Sequence, residues 1–225
     1  MNTPDYPSDI LDATRMNRTL RHRIRNACAA LRMTIRHLED RNDAVSAALS
    51  RTGPLMVAEL DRLLRMTDRM DLLFDELPPA EPQSLSSILA GVEDEFTRQF
   101  PFVGLEIEGT SDDDALLEYG NWVSWALLEV VVNAGEASGR GHPVQVAWRR
   151  GDTLELAVLN VGKGWDPQIP RDPPVPFYTT KGKHEGLGLA IAGRLCLAMG
   201  GTLTLVTDLP DVTAVKIAGV PARSV

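Results

Sequence analysis

The chain is poor in cysteine and lysine and has no long apolar run, and each shortage excludes something. Its two cysteines, Cys28 and Cys196, lie far apart in apolar helical patterns. They read as buried, reduced thiols and exclude a disulfide framework. The four histidines (22, 37, 142 and 184) form no metal-ligand spacing with them. The longest apolar run, WALLEVVV, carries Glu129 and is too short to span a bilayer. The N-terminus, MNTPDYPSDI, lacks the basic-then-apolar order of a secretory signal, so a cytoplasmic location is expected. Acid is missing locally: no Asp or Glu falls between residues 13 and 38. The net charge is −8, yet residues 1–80 balance 12 arginines against 12 acids, so the whole deficit lies in the second half. An acidic second half excludes nucleic acid as its main partner.

What is present divides into two unlike parts, residues 1–80 and 81–225. From residue 12 to 77 the pattern is helical, with a break expected at SRTGP, where Gly53-Pro54 would open the second arm. Leu20, Ile24, Ala27, Leu31, Thr34 and Leu38 repeat at 4,3,4,3,4, and so do Met56, Leu60, Leu63, Thr67, Met70 and Phe74. That is a heptad seam on each arm of a helical hairpin. Two helices enclose no core, so a homodimeric four-helix bundle is the economical solution. In this register His22, within TLRHRIRNACAALRM, points outward, with Asn26 one turn further along the same side.

LPPAEPQ (77–83) reads as a linker. Beyond it, SLSSILAGVEDEF, VSWALLEVVVNAGEAS and GLGLAIAGRLCLAMGG read as helices. PVQVAWRR and TLELAVLN read as a strand hairpin turning at Gly151-Asp152, with two further strands in TLTLVTD and TAVKIAG. The expected class is α + α/β: a hairpin followed by a two-layer sandwich with helices over one sheet face.

Three stretches in the second part carry chemistry. Glu129 and Asn133 are four apart and share a helix face, where a carboxylate and an amide oxygen suit a hard cation such as Mg²⁺. Taken alone, the pair reads more readily as two polar residues on a buried helix. VLNVGKG ends a strand in Asn160 and runs into Gly162 and Gly164, which let backbone approach a ligand. PFYTTKGKHEGLGLAIAGRL leads glycines 182, 186 and 188 into a helix N-terminus, where unpaired N–H groups favour phosphate. Lys181 and Lys183 stand there, two of only four lysines in the chain.

In their order, these stretches resemble the nucleotide-binding boxes of the GHKL ATPase superfamily, and in particular of sensor histidine kinases. EVVVNAGEA is similar to the N box, NVGKG to the first glycine box, PFYTTK to the F box and GLGLAI to the second glycine box. The resemblance covers roughly residues 84–219 and implies ATP and Mg²⁺ as cofactors. It implies Asn133 as the metal ligand and Glu129 as the polar residue that sets the metal or the attacking group. Asn160 takes the position where the family has an adenine-reading aspartate. Gly162, Gly164, Thr180, Lys181, Gly186, Leu187 and Gly188 would shape the nucleotide pocket, under a lid of residues 165–185. LRHRIRN resembles the family's H box and makes His22 the phosphoacceptor, with Arg23 where many members carry an acid. Arg21, Arg23 and Arg25 would form a collar for the phosphoryl group and a docking face for a response regulator. Asn26 would orient water for the reverse reaction.

The implied function is autophosphorylation of His22 from Mg-ATP and transfer to a response-regulator aspartate. The alternative is a histidine phosphotransfer protein with a degenerate, non-ATP-binding domain. Only about 20 residues lie ahead of His22, so the input is expected from an upstream sensor protein or from a longer product of the gene.

Overall fold

The structure, a computed structural model, describes residues 8–40, 44–109, 114–139, 141–166, 174–181, 184–206 and 211–224. The chain divides into two compact units, Met1–Leu77 and Pro78–Val225. Gly182, Lys183 and part of the expected lid lie outside the described residues.

The first unit is a hairpin of α1 (Ser8–Glu39) and α2 (Ala44–Phe74). The arms join ahead of Ala44, not at SRTGP, and Pro54 lies inside α2. An internal proline removes a helix hydrogen bond and usually breaks the helix. Here tertiary contact overrides that tendency. Gly53 is buried against α1, where a Cβ would run into the Glu39 carboxylate and stand 3.6 Å from Ile35 Cγ2. The glycine serves close helix approach rather than a turn.

The seam also differs from the expected one. Among the described residues of α1, Arg21, Cys28 and Ile35 are buried, one position on from Leu20, Ala27 and Thr34. Cys28 and Ile35 meet Leu60, with Ile24, Val57, Leu63 and Leu64 packed around. Leu20 and Leu31 are instead exposed, as are Met33, Leu55 and Met56. The shift has an electrostatic cause. Four arginines of α1 reach aspartates of α2: Arg18 to Asp75, Arg21 to Asp71 and Asp75, Arg25 to Asp68 and Asp71, and Arg32 to Asp61. Rotating α1 to bury Leu20 and Leu31 would break this ladder.

In chain order the second unit contains β1 (Gln83–Ser84), α3 (Leu85–Gln99), β2 (Leu105–Gly109), β3 (Ala115–Leu117), α4 (Gly120–Ala137), β4 (Val144–Arg150), β5 (Thr153–Val161), α5 (Gly188–Ala198), β6 (Thr202–Val206), β7 (Val212–Pro221) and β8 (Arg223–Ser224). Five strands form one sheet in the order β2-β4-β5-β7-β6, and β1-β3-β8 form a second, smaller one. β2 lies parallel to β4, and the other pairs are antiparallel. The hairpin around Gly151-Asp152 forms as its alternation predicts. β1, β2, β3 and β8 were not legible, because short strands gain their order only from partners distant in sequence.

Local signals set several ends. Ser84 caps α3 by accepting the Ser87 N–H at 3.2 Å. Gly200, at φ +78°, ends the α5 segment, and Gly201 N–H returns to the Cys196 carbonyl at 2.9 Å. Along β5 the buried residues alternate: Leu154, Leu156, Val158 and then Asn160. This face meets α4, whose Ala126, Leu127, Val130 and Val131 are buried, and the core continues through Phe96, Ile191 and Leu195. Cys28 and Cys196 are both free and buried, and burial pushes the Cys196 thiol up to about 12. The stretch read as a linker is tied down within this unit. Asn121 Nδ2 donates to the Pro79 carbonyl at 2.9 Å, its Oδ1 accepts from Glu81 N–H at 3.0 Å, and Trp122 Nε1 donates to the Pro78 carbonyl at 3.0 Å. Among the described residues no helix is long and apolar enough to cross a membrane.

Candidate functional site

On α1, His22 is exposed and its Nε2 lies 3.3 Å from Asn26 Nδ2. One helical turn separates the two residues, as the i, i+4 relation requires. Amide nitrogen only donates, so this contact makes Nε2 the acceptor and puts the neutral ring's proton on Nδ1. The expected arginine collar is not there as drawn. Arg21 is 1% exposed, with Nε 2.6 Å from Asp71 Oδ1 and Nη2 2.6 Å from Asp75 Oδ1. Arg25 pairs with Asp68 at 3.0 Å and also contacts Asp71. Both guanidiniums therefore hold the hairpin together, leaving Arg23 as the exposed member of the three. Burial works against the Asp75 carboxylate. The Arg21 hydrogen bond and the Arg21 and Arg18 charges outweigh it and hold that carboxyl below its ordinary 3.8.

In the second unit, α4 presents Glu129 and Asn133 half-buried on one side. Lys181 reaches this helix: its Nζ lies 3.1 Å from Asn133 Oδ1, 3.3 Å from the Asn133 carbonyl and 3.0 Å from Glu136 Oε2. His184 Nδ1 stands 3.1 Å from Glu136 Oε1. The Thr179 hydroxyl accepts the Lys181 N–H at 3.0 Å and orients that stretch. Thr180 is exposed. Asn133 Oδ1 thus receives a cation here, and with two carboxylates on the same helix the donor set is all oxygen. That chemistry fits a hard divalent ion.

The glycines earn their places by close approach. A Cβ on Gly162 would lie 2.6 Å from the Ala137 carbonyl oxygen and 3.3 Å from Asn160 Nδ2. Gly164 has φ +74°. Gly186, at φ +68°, has room for no side chain, since a Cβ would lie 2.6 Å from the Tyr178 carbonyl. Its own carbonyl accepts the N–H of Phe177, a non-glycine residue held at φ +65°. Leu187 is buried and precedes Gly188, the first residue of α5. Among the described residues no side chain caps that end, and no acid stands in its first turn. Its N–H groups are therefore available to an anion.

Residues 120–223 match the family model described as histidine kinase-, DNA gyrase B-, and HSP90-like ATPase. Within the second unit, residues 120–223 carry an ATPase domain of this family. The ATPase domain and its neighbours in the chain have sequence relatives among sensor kinases. The two-component sensor PprA of Pseudomonas aeruginosa is 27% identical over 208 residues, covering 82% of this chain and 22% of PprA. The sensory histidine kinase/phosphatase NtrB of Azospirillum brasilense is 25% identical over 213 residues, covering 84% of this chain and 51% of NtrB. The chain thus spans about half or less of these relatives' length. Full-length ShkA in complex with AMPPNP has a similar fold, at TM-score 0.74 and 19% identity, over 94% of this chain and 47% of that one. The mycobacterial sensor histidine kinase MprB matches at TM-score 0.57 and 24% identity, over 65% of this chain and 99% of that one.

Two residues of the ATPase domain escaped the sequence reading. Glu136 binds Lys181 and His184, and its spacing of three from Asn133 on one helix was the available signal. Thr213 faces Asn160 across the β5–β7 register, and its hydroxyl donates to Asn160 Oδ1. Only strand pairing reveals it.

Proposed function

We propose that the chain is the catalytic core of a two-component histidine kinase, acting in the cytoplasm as a homodimer. The observation that carries this reading is the meeting of Lys181 with Asn133 on the glycine-lined side of the ATPase domain, in a chain that also exposes His22. Glu129 and Asn133 would hold Mg²⁺, which when bound neutralises phosphate charge. The uncapped start of α5 and Lys181 would bind the phosphates, and the family likeness supports ATP as the substrate. An imidazole nitrogen that carries a lone pair is a nucleophile. The His22 Nε2 lone pair attacks the γ-phosphorus, an N–P bond forms, the bond to the bridging oxygen breaks and ADP leaves. The Nδ1 proton then passes to water. Asn26 holds Nε2 in its lone-pair form before attack and must swing aside for it.

The phosphoryl group then passes to an aspartate of a response regulator, and Asn26 orients water when the regulator is dephosphorylated. The upstream input comes from a sensor partner. The exposed Leu20, Leu31, Met33, Leu55 and Met56 support pairing of two hairpins into a four-helix bundle, since a lone hairpin leaves these side chains in water. The decisive experiment incubates the full chain with γ-labelled Mg-ATP and compares His22→Ala and Asn133→Ala. Acid-labile label lost in both variants supports the kinase. Label surviving His22→Ala removes the acceptor assignment, and no labelling at all favours a phosphotransfer protein without nucleotide chemistry.

A further inference from the structure

The chain that joins the two units is almost wholly committed. α2 ends at Phe74, yet Asp75 N–H still closes a helical bond to the Asp71 carbonyl at 3.0 Å, and its carboxylate pairs with Arg21. From Pro78 onward the backbone is fastened to the first turn of α4. Trp122 Nε1 donates to the Pro78 carbonyl at 3.0 Å, Asn121 Nδ2 donates to the Pro79 carbonyl at 2.9 Å, and Asn121 Oδ1 accepts the Glu81 N–H at 3.0 Å. The Glu81 carbonyl in turn accepts the Asn121 N–H at 3.3 Å. Asn121 is 7% exposed, and its oxygen also accepts the Trp122 N–H at 2.9 Å, so both lone pairs are used. Gly120 lets Gln83 lie against the helix, since a Cβ there would stand 2.4 Å from Gln83 Cβ. Pro78, Pro79 and Pro82 have φ fixed by their rings, and Leu77, ahead of a proline, is confined to extended backbone. Among the described residues this leaves Glu76 and Leu77 as the joint.

We propose that Asn121 and Trp122 are positioning residues for phosphoryl transfer, which set the reach between nucleotide and histidine by confining the joint to Glu76 and Leu77. The inference rests on the kinase reading above. From Asp75 to Pro78 the backbone extends at most about 11 Å. Asn121 and Asn133 stand on one helix, about 18 Å apart along its axis. The joint is thus tied by a single rigid helix to Asn133, on the nucleotide side of the domain. A tether needed only for attachment could stay in water, as its polar, proline-rich composition allows. Releasing the clamp would lengthen the joint from residues 76–77 to residues 76–82, and effective concentration falls as a flexible tether lengthens. Asn121 and Trp122 act through the chain they hold, and neither enters the chemistry.

The experiment compares the full wild-type chain with two variants. One combines Asn121→Ala with Trp122→Phe, which keeps a ring stacked on Tyr119 and removes the indole N–H. The other carries a short Gly-Ser insertion between Glu76 and Leu77, which lengthens the joint and spares the clamp. Three quantities are read: hydrogen exchange at the Glu81 amide, the dissociation constant for a non-hydrolysable ATP analogue with Mg²⁺, and the initial rate of acid-labile labelling of His22. The Glu81 amide should be protected in the wild type and the insertion variant, and exchange freely in the double variant. Nucleotide affinity should stay within about twofold throughout, while labelling slows by about tenfold in both variants. Unchanged labelling rates overturn the positioning role. A loss of labelling matched by an equal loss of nucleotide affinity also overturns it, because the clamp then only stabilises the domain, and so does rapid Glu81 exchange in the wild type. Absence of label in a wild type that binds nucleotide overturns the kinase reading, and the positioning role falls with it. Should the double variant fail to fold, the insertion variant, which leaves the ATPase domain untouched, decides alone.

Discussion

Asn26 Nδ2 lies 3.3 Å from His22 Nε2, one turn along an exposed helix face. The contact fixes a tautomer, and that is measurable. In the wild type, ¹⁵N–¹H correlation spectra should show neutral His22 with its proton on Nδ1. In Asn26→Ala the Nε2-protonated form should gain population, while stability changes by less than about 0.5 kcal/mol, as for exposed sites generally. Unchanged imidazole nitrogen shifts in the variant would remove Asn26 as the positioning group. Unchanged regulator dephosphorylation would separately remove its proposed role with water.

Arg21 is the most deeply buried charge of the hairpin and faces Asp71 and Asp75. Arg21→Ala removes the buried guanidinium and leaves Asp71 to Arg25 and Asp75 to Arg18. We expect a loss of about 3 kcal/mol in the helical unfolding transition, followed by far-ultraviolet circular dichroism at fixed protein concentration. A loss under 1 kcal/mol would show that the ladder does not hold the arms in register.

The same ladder predicts acid sensitivity. The folded Asp75 carboxyl lies below its ordinary 3.8, so its contribution is fully present above that value. It declines as pH falls below 3.8 and through the lowered folded value. Asp75→Asn should therefore flatten the acid limb of the stability curve below pH 3.8 and cost stability at neutral pH.

Lys181 bridges Asn133 and Glu136. If its nitrogen turns to the terminal phosphate on binding, Lys181→Ala should weaken nucleoside triphosphate binding by about tenfold and diphosphate binding much less. Calorimetric titration with both nucleotides reads the difference. Equal losses for the two would place the lysine on another phosphate.

Gly186→Ala sets a side chain at φ +68° against the Tyr178 carbonyl. Two backbone segments would have to separate, at about 1–3 kcal/mol, and the nucleotide-induced thermal shift should vanish. Gly151→Ala is the control: nothing lies within 4 Å of its added Cβ, and Tm should barely move.

Much of the ATPase domain was legible because its signals are local. Ser84 is a cap followed by an apolar period, and residues 144–161 alternate around a Gly-Asp turn. Asn133, Gly162, Lys181 and Gly186 stand in a recognisable order. The hairpin was read correctly as paired helices and wrongly in detail. Gly53-Pro54 carries every mark of a turn, yet it packs inside α2. The arginines around His22 resembled a phosphate collar, yet Arg21 and Arg25 are spent on aspartates some 43 to 54 residues away in sequence.

The amino-acid sequence by itself determined the helices, the strands β4 to β7, where the glycine loops lie, and that His22 faces out. Those properties follow from periodicity and capping, which act over a few residues. Tertiary structure alone decided the rotation of α1 against α2, the pairing of β2 with β4, the bridge from Lys181 to Asn133, and the bond from Thr213 to Asn160. Each of these depends on groups brought together from distant parts of the chain, whose pairing energies do not register in any local pattern.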